Sequence, residues 1–278
     1  MIMKDEELLA KRLSELSHQS FQRGIITYTD FLNLNEQSIL HALPKDSLYT
    51  GYVLFGGYDS AERQMAAFLP EDALSLRGRY AGIPCGPDQK DDGGSAGRYR
   101  CYFMDRMAVL RIAPLHEKYA DALTHRDYLG AIMNLGLERG KMGDILIDGS
   151  AALVFIDANL TDILKKELLR IRHTSVSVSE EDWDDFQYAQ NVQEIRGTVS
   201  SIRLDALLSL AFSTSRSKLT GLIEAGKVFV NGRLMTSNGY HIKERDIISV
   251  RGMGKFQYVE QLSVTKKNRV CVLIHKYI

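Results

Sequence analysis

The stretch "SIRLDALLSLAFSTSRSKLTGLIEAGKVFVNGR", Ser201–Arg233, decides the reading of this chain. Leu204, Leu207, Leu208 and Ala211 recur at helical spacing and predict one buried helix face. "STS" breaks that pattern. Ser213, Thr214 and Ser215 are residue types whose side chains cap a following helix by accepting its free backbone N–H groups. The second helix is expected to turn Leu219, Leu222 and Ile223 inward and to end at Gly226, which suits a left-handed C-terminal cap. "VFVNGRLM" then reads as two strands joined at Asn231-Gly232, a pair favoured in tight primed turns. "DIISVRG" supplies a further strand ending in Arg251, with Lys255 just after it. Helix, turn, helix and hairpin thus gather Arg203, Arg216, Lys218, Lys227 and Arg233 on one small body.

The placement of these cations is informative. Arg216 and Lys218 fall in the first turn of the second helix, where positive charge opposes the helix dipole. An anion arriving there meets open N–H groups and two cations together, a geometry that suits a phosphate. The tail adds Lys266, Lys267 and Arg269. Over the whole chain 35 Lys/Arg balance 35 Asp/Glu, but from Arg196 onward 14 basic residues face 5 acidic ones, whereas the first 195 residues hold 21 basic and 30 acidic. Charge segregated in this way points to a C-terminal third that binds a polyanion.

At 278 residues and 45% hydrophobic, the chain is long enough for more than one globular domain. The longest apolar runs fall far short of the roughly 20 residues a bilayer crossing needs, and the charged start is unlike a secretory signal. A soluble, cytoplasmic protein with no membrane partner is expected. Cys85, Cys101 and Cys271 are too few and too scattered for a disulfide framework or a zinc knuckle, so buried thiols are expected.

Before the basic segment the periodicities suggest two more units, so the expected fold class is α+β with three parts. Residues 1–82 read as a small α+β domain. "DEELLAKRLSEL" is helical, "TDFLNLNEQSILHAL" starts at a capping-type Thr29-Asp30 and stops before Pro44, and "LYTGYVLFGGY" and "RQMAAFLP" are extended. Residues 83–180 open on the Gly/Asp-rich loop "CGPDQKDDGGSAGRYR" and then run strand, helix, hairpin around Asp148-Gly149, helix, strand. This β-α-β-β-α-β order predicts a ferredoxin-like, RRM-like unit. RNA recognition on such a sheet needs exposed rings, and Phe155 is the obvious candidate on the central strands, with a core position the simpler expectation. Residues 181–278 hold an acidic connector, with the single Trp183 expected to pack locally, then the basic module and a C-terminal strand. Besides a solvated connector, the acidic run 179–186 admits a second reading, a shield over the basic domain.

The basic module resembles the RNA-binding domain named after small-subunit ribosomal protein four, the S-four domain. "RLDALL", "SRSKLTGLIEAGKVFVNGR" and "DIISVR" carry that resemblance in order from about Ser201 to Lys255, although Glu244 and Arg245 stand where many members have a Pro-Gly turn. In that family the second helix and the start of the hairpin contact structured RNA, which implies Arg216, Lys218, Lys227 and Arg233. The full candidate set is Arg203, Ser215, Arg216, Lys218, Lys227, Asn231, Arg233, Arg251 and Lys255. The whole chain is also similar to the YlmH type, through "HRDYLGAIMNLGLERGKMGDILI" and "GTVSSIRLDALLS". From the first of these, His125, Arg126, Arg139 and Lys141 are candidates for a second RNA or ribosome contact. The resemblance implies a cytoplasmic, monomeric, non-catalytic protein. Its partners would be structured RNA, both rRNA and peptidyl-tRNA, on the large ribosomal subunit, and its process the rescue of stalled translation.

Enzyme signatures fail on inspection. "HRD" at His125–Asp127 lacks the Asn that a kinase catalytic loop requires, since Ile132 stands there. "RLD" at Arg203–Asp205 is similar to the catalytic tripeptide of pseudouridine synthases, but it sits inside the binding module, where Asp205 serves as a first-turn carboxylate. No strand is followed by GxGxxG, and the histidines show no metal spacing. No cofactor or metal is expected. An RNA-modifying enzyme that uses the S-four domain for substrate binding is the alternative, and a winged-helix DNA binder is a third reading.

Overall fold

The computed structural model describes residues 2–71, 99–183 and 191–277. The chain separates into two compact units, Met1–Gln187 and Tyr188–Ile278. The expected boundary at 82/83, most of the Gly/Asp-rich loop and the second half of the acidic connector lie outside the described residues.

Unit 1 begins with α1 (Ile2–Arg23). Its inward face carries Leu13 together with Ser17 and Ser20, all fully buried. The buried hydroxyls are satisfied, because Ser20 donates to the Phe68 carbonyl at 2.9 Å and Ser17 accepts from the backbone N–H groups of Tyr49 and Thr50. A short strand β1 (Thr27–Tyr28) follows. Then comes α2 (Leu34–Ala42), which ends before Pro44 as expected. Its cap differs from the expected Thr29-Asp30: Asn33 forms a capping box with Glu36, the two side chains satisfying each other's backbone N–H groups. β2 (Gly51–Phe55) and β3 (Met65–Leu69) complete an antiparallel sheet of order β1-β3-β2.

The second layer of unit 1 follows the predicted order. β4 (Met107–Pro114) leads to α3 (His125–Met133), to the hairpin of β5 (Met142–Asp148) and β6 (Ala151–Asp157), to α4 (Thr161–Glu167), and to β7 (Arg170–Ile171) and β8 (Thr174–Glu181). The sheet order is β5-β6-β4-β8-β7, every pair antiparallel. Without the two-residue β7 this is the split β-α-β arrangement, in which the first and third strands are central neighbours. One face is the helix side, where Leu110, Ile112, Val154 and Ile156 pack on Tyr128, Ile132 and Leu164.

Unit 2 has one six-stranded antiparallel sheet of order β11-β10-β12-β13-β14-β9. Its strands are β9 (Val192–Val199), β10 (Val228–Val230), β11 (Arg233–Leu234), β12 (Ile247–Val250), β13 (Gly254–Val264) and β14 (Val270–Tyr277). Two helices, α5 (Leu204–Phe212) and α6 (Arg216–Glu224), cover one face. The predicted apolar stripe is real: Leu204, Leu207, Leu208, Leu219 and Ile223 are essentially inaccessible, while Leu222 is only partly buried. β9 and most of β13 were not anticipated, so the module's strands β11, β10 and β12 form one end of a wider sheet.

Cys271 is a free, half-buried thiol, but Cys101 is in a disulfide rather than a thiol. Among the described residues no helix is long and apolar enough to cross a membrane, and no three His, Cys, Asp or Glu side chains converge as a metal site.

Candidate nucleic-acid interface

The turn between α5 and α6 sets the geometry. Ser213 takes a left-handed backbone, φ 49°, and closes α5 with its N–H on the Ser209 carbonyl. Ser209 Oγ then donates to the Thr214 carbonyl at 2.7 Å, and Thr214 Oγ1 to the Phe212 carbonyl at 2.9 Å. These residues therefore finish the first helix instead of capping the second. Ser215 does stand at the N-cap of α6, but its side chain accepts no backbone N–H; its Oγ lies 3.4 Å from Ser217 Oγ. α6 begins with no side-chain cap, with Arg216 and Lys218 exposed in its first turn. A helix start left open and flanked by cations is prepared for an anion.

Asp205 organises the same corner. Only 8% exposed, it lies in the first turn of α5 and accepts from Arg203 Nε at 3.2 Å, while Arg216 Nη1 is 3.9 Å from its other oxygen. One carboxylate thus positions two guanidiniums and leaves an excess positive charge. Lys218, Lys227, Arg233 and Arg251 are exposed, and none has a carboxylate within ion-pair distance among the described residues.

The other end of α6 meets the hairpin. Gly226, φ 65°, closes a Schellman motif in which Gly226 N–H donates to Ile223 and Lys227 N–H to Leu222. Lys227 is tied to Arg251, whose N–H donates to the Lys227 carbonyl at 2.9 Å, and the Arg251 guanidinium lies 5.6 Å from the buried Phe229 ring. Asn231 and Gly232 take positive φ values of 48° and 75°, as a type I′ turn requires. The Asn231 side chain is spent on the fold: it donates to Asp246 Oδ1 at 2.8 Å and accepts from Ile247 N–H. Arg245 fills the departure from the S-four pattern with φ 69°, the backbone a glycine would take, and its N–H donates to the Tyr258 carbonyl at 2.7 Å. Lys255 sits farther along the sheet, over the Tyr277 ring at 5.2 Å. Arg203, Arg216 and Lys218 therefore mark one end of α6 and Lys227 and Arg251 the other, about 14 Å away at 1.5 Å per residue.

The candidates in unit 1 are divided. His125 and Arg126 are exposed at the start of α3, where Thr124 is the capping residue. Loss of hydration, then the nearby Arg139 cation, holds the His125 imidazole below its usual pKa. Arg139 and Lys141 are half-buried and committed internally. Arg139 Nη1 donates to the carbonyls of Met142 and Gly143, and Lys141 Nζ reaches Asp30 at 2.7 Å and the buried Asp157 at 3.6 Å. Arg63, which no sequence signal marked, converges on the same Met142 carbonyl through Nε at 3.0 Å. Burial and that neighbouring guanidinium bring Arg139 down to about 10.

The sheet face opposite the helices is closed. Phe155 is fully buried, stacked on Tyr58 at 5.6 Å and packed near Trp183 at 6.3 Å, which also meets Phe55 and lies under the Arg100 guanidinium. Farther along, Arg111 pairs with Asp148 at 2.9 Å and with Glu181, and Lys165 pairs with Glu180. The start of the acidic run is thus the end of β8 and is neutralised within unit 1. Bases have no exposed ring to stack on at Phe155.

A family model described as "Putative RNA-binding domain in YlmH" matches residues 107–185, and the S4 domain model matches residues 202–248. The chain is a YlmH-type S-four protein. The two matches coincide with the split β-α-β layer and with the helix–turn–helix and hairpin just described. The chain is similar to the "Ribosome-associated protein quality control protein P2" of Bacillus subtilis (strain 168), with 29% identity over 96% of this chain and 93% of that one. A solved structure, "Cell division protein ylmH from Streptococcus pneumoniae", aligns with 66% of this chain and 90% of its own at 20% identity and a TM-score of 0.42. The matched domains and the Bacillus subtilis relative support an RNA-binding role for the chain.

Proposed function

We propose that this YlmH-type protein is a non-catalytic RNA-binding factor of ribosome quality control. It would engage structured RNA on the large ribosomal subunit, rRNA and peptidyl-tRNA included, as a cytoplasmic monomer. The observation that carries the reading is the uncapped start of α6, with Arg216 and Lys218 in its first turn and Arg203 held beside it by Asp205. Lys227, Arg233 and Arg251 extend the cationic surface along the hairpin. The name of the Bacillus subtilis relative supports the ribosomal setting. Asp205, buried and shared by two guanidiniums, favours a positioning role over catalysis, and no reaction is assigned. The three-part division at residues 82/83 and 180/181 is kept as part of this reading, with the C-terminal part as the RNA-binding one.

The test is sedimentation of lysate from cells expressing the tagged full chain, with stalled translation induced. Cofractionation with separated large subunits, reduced by Arg216→Ala, is expected. A protein that stays at the top of the gradient overturns the ribosomal assignment. A changed nucleoside mass in bound RNA overturns the non-catalytic one.

A further inference from the structure

β13 pairs with β12 only over Gly254–Gln257, so beyond Tyr258 the sheet has narrowed to β13, β14 and β9. This narrow end lies outside the S4 match, which stops at residue 248. Gln261, Leu262, Ser263 and Val264 are exposed, Leu262 by 42% and Val264 by 53%. The turn that follows, Thr265-Lys266-Lys267-Asn268-Arg269, carries three cations in five residues.

That turn is not a loose loop. Thr265 N–H donates to the Arg269 carbonyl at 2.8 Å and Asn268 N–H to the Thr265 carbonyl at 2.9 Å, Thr265 Oγ1 accepts from Arg269 N–H at 3.1 Å, and Asn268 takes φ 54°. Arg269 Nη2 donates to the Thr198 carbonyl at 2.8 Å and pins the turn to the end of β9. Lys266 and Lys267 are exposed and have no carboxylate within ion-pair distance among the described residues. A rigid backbone that holds unpaired ammonium groups gives up little conformational freedom on meeting a polyanion.

Position decides which polyanion. Thr198 stands five residues before Arg203, so the Arg269 anchor lies within about 18 Å of the Arg203 backbone at the start of α5. A span of that order is within reach of one polymer with regularly spaced phosphates.

We infer that the β13–β14 turn is a second RNA-backbone contact, through Lys266 and Lys267, made with the same RNA molecule that occupies the α5–α6 corner. This rests on the reading of unit 2 as an RNA-binding body. The turn acts as a second grip: it adds affinity and fixes the direction in which the duplex leaves the helices, without reading bases.

The test uses the full chain and a fluorescent structured RNA hairpin, with binding followed by anisotropy from low to high salt. Lys266→Ala/Lys267→Ala is expected to weaken binding about tenfold near physiological salt and to lower the log–log salt slope by nearly two units, with the melting temperature unchanged. Lys266→Arg/Lys267→Arg is expected to restore both. Combining the alanine pair with Arg216→Ala should lower the slope further at one RNA per protein. An alanine pair that binds like the parent while Arg216→Ala is impaired overturns the inference and leaves the α5–α6 site standing. Two RNA molecules per chain overturns the shared-ligand claim. If neither variant changes binding, the assignment of unit 2 itself fails.

Discussion

Gly57 lies so close to the ring of Phe155 that a methyl group on it would sit 2.1 Å from the ring's Cε1. Gly57 also has φ +100°, a backbone that side chains rarely adopt. Clash and strain together make Gly57→Ala cost unit 1 about 3 kcal/mol. The urea midpoint of unit 1 should fall with little change in slope. An unchanged midpoint would mean that the Tyr58 loop lifts off the ring easily. RNA binding through unit 2 is expected to survive the substitution under conditions where the variant remains folded.

Arg216 and Lys218 should behave as phosphate contacts. Each of Arg216→Ala and Lys218→Ala is expected to flatten the salt dependence of RNA binding by about one unit and to weaken all structured RNAs alike. Equal slopes for Arg216→Ala and the parent would remove that residue from the contacting set.

Asp205 makes a contrasting prediction, because it touches the cations and not the ligand. Asp205→Asn keeps the shape but removes the charge that positions Arg203 and Arg216. Unit 2 should lose about 1–2 kcal/mol, as expected for a charge-assisted hydrogen bond. RNA affinity should drop while the salt slope holds, since the number of phosphates met is unchanged. A slope reduced by a full unit would show that Asp205 decides whether an arginine engages at all.

Tyr258 gives a pH-dependent readout. It is 1% exposed, and among the described residues its hydroxyl has no hydrogen-bond partner. Burial first, then Glu244 and Glu260, push its pKa up to about 12 from the usual 10. The unfolded chain therefore loses this proton first, so the fold is progressively weakened as pH rises from about 10 toward 12. Tyr258→Phe should remove that alkaline loss and raise stability at neutral pH by about 1 kcal/mol, by discarding an unpaired buried hydroxyl. Thermal melts at pH 7 and pH 10.5 check both parts. A variant less stable at pH 7 would reveal a partner for the hydroxyl.

The features legible in the sequence were those written within a few residues of each other. The alternation in "DILIDGSAALVFID", the stripe of Leu204, Leu207 and Leu208, and the pair Asn231-Gly232 each encode an element locally, and each element formed. β9 was hidden because one of its inward positions is Gly197, which leaves room for Leu210 and erases the apolar alternation. The outer half of β13 was hidden because its side chains are polar or exposed, so burial imposes no pattern there. The Asn33–Glu36 capping box was readable, but Thr29-Asp30 offered the same residue types four residues earlier. Within the candidate site, charge and residue type pointed to the corner of α5 and α6. They could not reveal that Asn231 is consumed by Asp246, or that Arg139 and Lys141 are held by Met142, Gly143 and Asp30. Those partners are distant in sequence or use backbone carbonyls, which leave no trace in composition.

The packing of Trp183 on Phe55 and Phe155 has a practical result. It is the chain's single tryptophan and belongs to the first unit, so excitation at the indole band isolates that unit's melting from the rest. Loss of that indole signal therefore scores the first unit's unfolding within the full chain, without attaching a dye.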